Sequence, residues 1–556
     1  MTKTTTNATG VIGSVLSPAH AWFTRTFIDI VRQLRWSFLP PLMVYFAAGI
    51  SGLTAIVGTF FVKEYLGLSA AFLAALTFWA GLPWALKMPL GHLVDLIWRW
   101  KALLVYLGAA LIAASLLIMY GLIAHTDAMR EVFSAETWFV LSSLLAPAGY
   151  VVQDTVADAM SVEAVPRLRS DGQPLSEDEA KALHTTMQTL GRMALISGLV
   201  FVALVNIVMF SGVETLDQSQ KAEVYARIYL MALSIPLVSV TGVMLSQIML
   251  ATRARRLREQ GKEADEIDRL VYAPAEHTEA NYWMFIGGAA FLALTLVIGI
   301  GNVPLGQEIV FVGSMAIIVG LIYQLIQRLP AAQANALIGT AIIVFVFRAV
   351  PLPGAGATWF QIDQLGFDQQ FLAVLSLIAS VLTLVGMVLL RPLIASRSIA
   401  YIVVMLTLAS GILSLPGIGL YYGVQNWTSQ LTGGVVDARF IAVIETTLES
   451  PLGQIAMIPL LAWIARNAPP DLKATFFAVM ASFTNMALTA SSLLTKYLNQ
   501  IFVVTREVKE PVTGVVQTPA DYSQLGWLLI TVASIGVVAP LLTVVWVQRS
   551  RFQTSE

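Results

Sequence analysis

Residues 60–76 read FFVKEYLGLSAAFLAAL, and residues 359–375 read WFQIDQLGFDQQFLAVL. Leu66-Gly67 aligns with Leu365-Gly366, and Phe72-Leu73-Ala74 with Phe371-Leu372-Ala373, at a constant offset of 299. A second echo pairs Arg192-Met193-Ala194-Leu195 with Asn485-Met486-Ala487-Leu488, at an offset of 293. Two echoes in the same order, at nearly one offset, describe a chain built twice in the same direction. Each half then has its own copy of the same helical plan, and a ligand site is expected where the copies face each other.

The sequence around these echoes is apolar in long runs. Hydrophobic residues make up 57% of the chain and charged residues only 12%, about half the share of an ordinary soluble domain. Roughly 20 apolar residues at ~1.5 Å each cross a hydrocarbon core of about 30 Å. The runs lack the two-residue alternation of a barrel strand, so the predicted spans are helices. They lie near 38–62, 69–97, 102–125, 137–163, 184–211, 223–252, 282–302, 305–328, 332–350, 369–390, 398–422, 440–465, 472–499 and 524–548.

These fourteen spans predict an all-α, multi-pass protein of the inner or plasma membrane, arranged 6+2+6. Residues 1–37 form an N-terminal segment in which Trp22, Phe23, Phe27, Ile28, Val31 and Leu34 interleave with Arg25, Arg32 and Arg35 at helical spacing. It reads either as an amphipathic helix on the membrane surface or as a polar lead-in. Residues 38–252 form the first six-helix bundle, 253–281 a linker, 282–328 an extra helix pair, 329–548 the second bundle and 549–556 a tail. Most of the 33 Lys and Arg residues fall on one side if both termini are cytoplasmic, and the Arg-rich stretch 253–269 decides it. That linker is expected to be solvated and to lie against anionic lipid.

Parallel six-helix halves are the plan of the major facilitator superfamily, and short motifs agree. Gly91-His92-Leu93-Val94-Asp95, with Arg99 and Lys101 after it, resembles that superfamily's motif in the loop between the second and third spans. The resemblance makes Gly91, Asp95 and Arg99 gating residues. One branch is closer, the folate–biopterin transporter family. Phe61–Ser69 resembles its loop after the first span, Leu82-Pro83-Trp84-Ala85-Leu86-Lys87 its second-span signature, and Asp154-Thr155-Val156-Ala157-Asp158-Ala159 its paired-aspartate motif, with Glu163 beyond. Residues 474–482 and Asn485 resemble its eleventh span. The resemblance leaves out 253–328, and Arg99-Trp100-Lys101-Ala102 departs from the family's usual pair of basic residues. It implies a folate- or pterin-like organic anion as substrate.

Charge inside a span costs roughly 2.5–3.5 kcal/mol per residue on insertion scales. Lys87, Asp154, Asp158, Arg192, Arg348, Glu445 and Glu449 all fall in predicted spans, so they must pair or face a wet cavity. Asp154 and Asp158 share a helix face, as do Glu445 and Glu449 on the repeat-related span. Two acids on one face repel and favour uptake of a proton, which makes all four candidates for proton coupling. The alternative is purely structural, with Asp158 paired to Arg192 and Asp154 to Lys87. Lys87, Arg192 and Arg348 are candidate ligands for substrate carboxylates. Gln153, Gln188 and Gln454 are candidate polar liners, and Trp79, Trp84 and Tyr150 candidate walls for a flat ring.

Other function classes find no support. Cysteine is absent, and the five histidines are scattered without metal-ligand spacing, so neither metal nor other cofactor is expected. There is no phosphate-binding Gly-rich loop and no nucleophile turn, which disfavours an ATP-driven pump or a hydrolase. A net charge of −1 without a basic face implicates no nucleic acid. The expected partners are a small organic anion, protons and membrane lipid, and 282–328 is a possible surface for a membrane complex. A transporter of another amphipathic molecule, such as a tetrapyrrole or drug, and a non-transporting assembly scaffold are the alternatives. Gly191 and Gly198 are expected to permit close helix packing.

Overall fold

The computed structural model describes residues 35–66, 68–166, 175–272, 282–301, 303–327, 329–389, 397–449, 473–509 and 516–554. The helices that matter here are α1 Trp36–Glu64, α2 Ala70–Leu96, α3 Trp98–Ala124, α4 Ala135–Ala164, α5 Glu177–Met209, α6 Gln218–Glu259, α7 Tyr282–Ile300 and α8 Gly306–Ile326. They continue with α9 Ala331–Arg348, α10 Gln369–Leu389, α11 Ile399–Tyr421, α12 Ala438–Glu449, α13 Lys473–Ile501 and α14 Leu525–Arg549. Twelve helices among the described residues are long and apolar enough to cross a membrane. The two remaining predicted spans are those near 440–465 and 472–499. Most of the first lies outside the described residues. At the second, α13 is a helix of 29 residues. Residues 1–34, with the amphipathic segment and His20, also lie outside, as do Gln454 and His277.

Local sequence explains where helices start and bend. Ser69, Ser134, Ser176 and Asp217 cap helix N-termini with side-chain oxygens, and Ser176 forms a full capping box with Glu179. Pro83 has no N–H to give, and α2 tightens to a 3-10 turn through Leu82–Leu86 before the α-helix resumes at Lys87. Beyond the predicted end of the sixth span, α6 continues as helix to Glu259, held by the Arg255–Glu259 pair at 3.1 Å. The linker then folds back: Ile267 and Val271 pack on Ala254.

Close approach of backbones sets the bundle. A Cβ on Gly149 of α4 would sit 2.6 Å from the Gly108 carbonyl oxygen of α3, and one on Gly198 of α5 only 2.7 Å from Gly49 Cα of α1. Between the helices before the extra pair and those after it, α2 packs against α13 and α5 against α10. The extra pair lies over the first of these seams. Gln307 of α8 donates to the Ala75 carbonyl of α2 at 2.9 Å, and Glu308 binds Lys496 of α13 at 3.0 Å and the Tyr497 hydroxyl. Phe291, Val310 and Ile318 of the pair join Phe78 and Leu82 of α2 and Met480 and Phe483 of α13 in one apolar cluster.

Candidate transport site

The site is built on α1, α2 and α4. Asp154 and Asp158 lie one turn apart on α4, and Lys87 reaches both from the restart of α2. Its Nζ is 2.6 Å from Asp154 Oδ2 and 2.8 Å from Asp158 Oδ2. Tyr45 of α1 donates to Asp158 Oδ1 at 2.7 Å. Gly191 of α5 makes room for that ring, because a Cβ there would stand 2.8 Å from Tyr45 Cε2. The side chains of Asp154, Lys87 and Asp158 are 15%, 23% and 45% exposed. The cluster therefore sits within the spans yet stays reachable, and Asp158 is its open edge. One ammonium stands between two carboxylates, so the fully ionised triad carries a net negative charge.

Other candidates stand elsewhere. Arg192 is exposed on α5 and forms no ion pair with Asp158, whose partners are Lys87 and Tyr45. Gln153 is a tie between helices. It is buried with its amide donating to the Val105 carbonyl at 3.1 Å and to Ser239 Oγ at 2.9 Å, which ties α4 to α3 and α6. Trp84 is half-buried in the 3-10 turn, and its carbonyl accepts from Asn485 of α13 at 3.3 Å. Trp79 stacks edge-on against Phe78, and Tyr150 packs at the margin of the apolar core of the first six spans. Arg348 ends α9 with Nη1 buried and without a hydrogen-bond partner among the described residues. Glu445 lines a cavity of about 280 Å³ between residues 350–365, α11, α12 and α14, away from the aspartates. The side chains of Gln188 and Glu449 lie outside the described part of the structure.

Of the gating candidates, Gly91 and half-buried Asp95 lie on α2, and Arg99 pairs with Asp268 of the linker. Asp95 and Arg99 make no ion pair with each other. Three residues outside the predicted site stand out, Tyr45, Lys101 and Glu163. Tyr45, in an apolar run, carried no signal beyond its hydroxyl. Lys101 and Glu163 form a buried pair at 2.8 Å, with the ammonium 4.1 Å from the Trp98 ring centre. This pair secures the carboxyl end of α4 to α3.

Twelve span-length helices among the described residues, with ionisable groups held inside them, define a polytopic membrane transporter with a fold of the major facilitator type. The BT1 family model matches residues 48–555, and the chain belongs to the BT1 family. A folate-biopterin transporter of Synechocystis sp. (strain ATCC 27184 / PCC 6803 / Kazusa) is 23% identical over 484 residues, covering 86% of this chain and 78% of that one. Among solved structures, the peptide transporter POT aligns with a TM-score of 0.58 at 15% identity, covering 94% of this chain and 95% of that one. A D-xylose–proton symporter aligns with a TM-score of 0.52 at 12% identity, covering 95% and 100%. At such identities these structures establish the fold alone.

Proposed function

We propose that this transporter carries an organic anion of folate or pterin type together with protons, by alternating access of its two halves. The observation that carries the reading is Lys87 held between Asp154 and Asp158. A substrate carboxylate that engages Lys87 must displace at least one aspartate from it. An aspartate left without its cation inside a span favours protonation. Anion binding and proton uptake at the triad are then one event, and Asp158, the more exposed acid, is the proton acceptor. Arg192 and Arg348 are secondary anion-binding groups, and Glu445 with Glu449 the corresponding acids of the second half. Residues 38–252 and 329–548 are the moving halves, with both termini cytoplasmic. The substrate class rests on the folate-biopterin transporter named above.

The test is uptake of labelled folate and of a pterin into proteoliposomes, with and without an inward proton gradient. Stimulation by the gradient, lost in Asp158→Asn, is the expected result. Gradient-driven uptake that survives in both Asp154→Asn and Asp158→Asn would sink the coupling role. Folded protein that moves neither compound would overturn the substrate class.

A further inference from the structure

A second charged cluster joins the two halves at the end where α1 finishes, well away from Lys87. The segment between α13 and α14 forms a small ribbon. Thr505 and Asp521 exchange backbone hydrogen bonds at 3.0 Å, and β1 Val508–Lys509 pairs antiparallel with β2 Val516–Thr518. Tyr421, at the end of α11, donates its hydroxyl to the Tyr522 carbonyl at 3.0 Å, which fixes the ribbon to the second half. From this ribbon Arg506 crosses to the first half. Its Nε donates to the Lys63 carbonyl at 2.6 Å, Nη1 to the Leu68 carbonyl at 2.9 Å and Nη2 to the Val62 carbonyl at 2.8 Å. The guanidinium lies 4.6 Å from the ring centre of Trp359, and both residues are buried. Beside it, Lys63 Nζ is 2.5 Å from Asp363 Oδ1, and the Tyr522 hydroxyl donates to Asp363 Oδ2 at 2.5 Å.

The chemistry of this contact is specific. The last carbonyls of a helix have no intrahelical donor and carry the negative end of its dipole. Arginine offers donors in a fixed planar fork, which suits two carbonyls at the helix end, those of Val62 and Lys63, and a third, that of Leu68, in the loop after it, whereas lysine is a point charge. Burial lowers the basicity of Arg506 while neighbouring Tyr522 and Asp363 raise it, and a guanidinium in either case stays charged. Asp363, between Lys63 and Tyr522, supplies the countercharge for two cations brought together. The three bonds from Arg506 and the Lys63–Asp363 pair run between halves, whereas the bond from Tyr522 to Asp363 stays within the second.

We infer that the ribbon built from residues 502–509 and 516–524 is a latch of the transport cycle, with Arg506 as its tongue and the carboxyl end of α1 with the loop after it as its catch. Opening at this end requires Arg506 to leave all three carbonyls and Lys63 to leave Asp363. The inference rests on alternating access but not on any substrate. It is tested by distance measurement in the full-length protein without substrate. The chain has no cysteine, so spin labels on Ser211→Cys and Gln430→Cys, both at exposed positions at this end, report separation of the halves by pulsed electron resonance. The expected result is a rise of about tenfold or more in the ratio of separated to closed forms in Arg506→Ala, the worth of a single charged hydrogen bond. Arg506→Lys should open nearly as far, and Asp363→Asn should shift the ratio in the same direction by less. If Arg506→Ala does not fold, Asp363→Asn and Arg506→Lys carry the test. Wild-type distances in every variant that folds would overturn the latch. A shifted ratio in protein that moves neither folate nor pterin would leave the latch standing and remove the substrate reading.

Discussion

Lys87 shows how a membrane site can be assembled from groups too costly to bury singly. Removing the lysine would leave Asp154 and Asp158 facing each other with only Tyr45 as a partner, and breaking a buried pair in this way costs about 3–5 kcal/mol. Lys87→Met should therefore lower thermal stability in detergent sharply, whereas Lys87→Met with Asp154→Asn should recover much of the loss. Equal losses in the single and double variants would show that the charges do not couple. The ionisable members of this triad were legible in the sequence, because charges in apolar runs and acids four residues apart are conspicuous. Their pairing was legible only in part, since Lys87 was expected beside Asp154 and stands there, but its second bond to Asp158 was not foreseen. Spacing offered Arg192 to Asp158, while the 3-10 turn after Pro83 aims Lys87 at both acids. Tyr45 stayed hidden because an aromatic in an apolar run has the pattern of a packing residue whether or not its hydroxyl is used. Gln153 misled for the opposite reason. A polar residue in a span resembles a cavity liner, but this one satisfies a carbonyl and a hydroxyl between helices.

At the scale of elements, the spans were legible because lipid permits few alternatives to a continuous apolar helix. Their mutual approach depends on single residues. Gly108 and Gly149 face each other so closely that neither α3 nor α4 tolerates a side chain there. Gly149→Leu should cost about 1–3 kcal/mol or more from overpacking, read as a lower unfolding temperature in detergent. Gly52→Ala, at a helical-turn position where a Cβ would meet nothing within 4 Å, is the matched control and should be tolerated. Similar losses in both would mean that backbone freedom matters here and close packing does not. Element ends were harder to read. Hydropathy stops at 252, but α6 runs to Glu259, where the arginines favour the negative end of the helix dipole and Arg255 pairs with Glu259 one turn on, in a helix that water, rather than lipid, surrounds. Nothing in a hydropathy pattern shows that the following residues fold back so that Asp268 meets Arg99.

On the scale of the molecule, the repeat disclosed two related halves, but it could not place α7 and α8, which have no counterpart in it. The structure sets them across the α2–α13 seam, and two adjacent residues divide the work: Gln307 holds the first half and Glu308 the second. A hairpin fixed to both halves restrains their relative motion only while both attachments hold. With the apolar cluster unchanged in every variant, releasing either bond should remove the polar restraint as fully as releasing both. Gln307→Leu and Glu308→Ala should therefore change the rate of uptake in the same direction, and the double variant should match the stronger single variant. Thermal stability should behave differently, because the two bonds have separate partners, and their separate losses should approach a sum. Glu308→Ala should be the more destabilising, since it leaves the part-buried ammonium of Lys496 without its carboxylate, and adding Lys496→Met should recover part of that loss. Uptake rates that fall additively, in step with stability, would mean that the pair only buttresses the fold. Rates that stay at the wild-type value despite lost stability would mean that it moves as a passenger of one half, leaving its outer face free for another role.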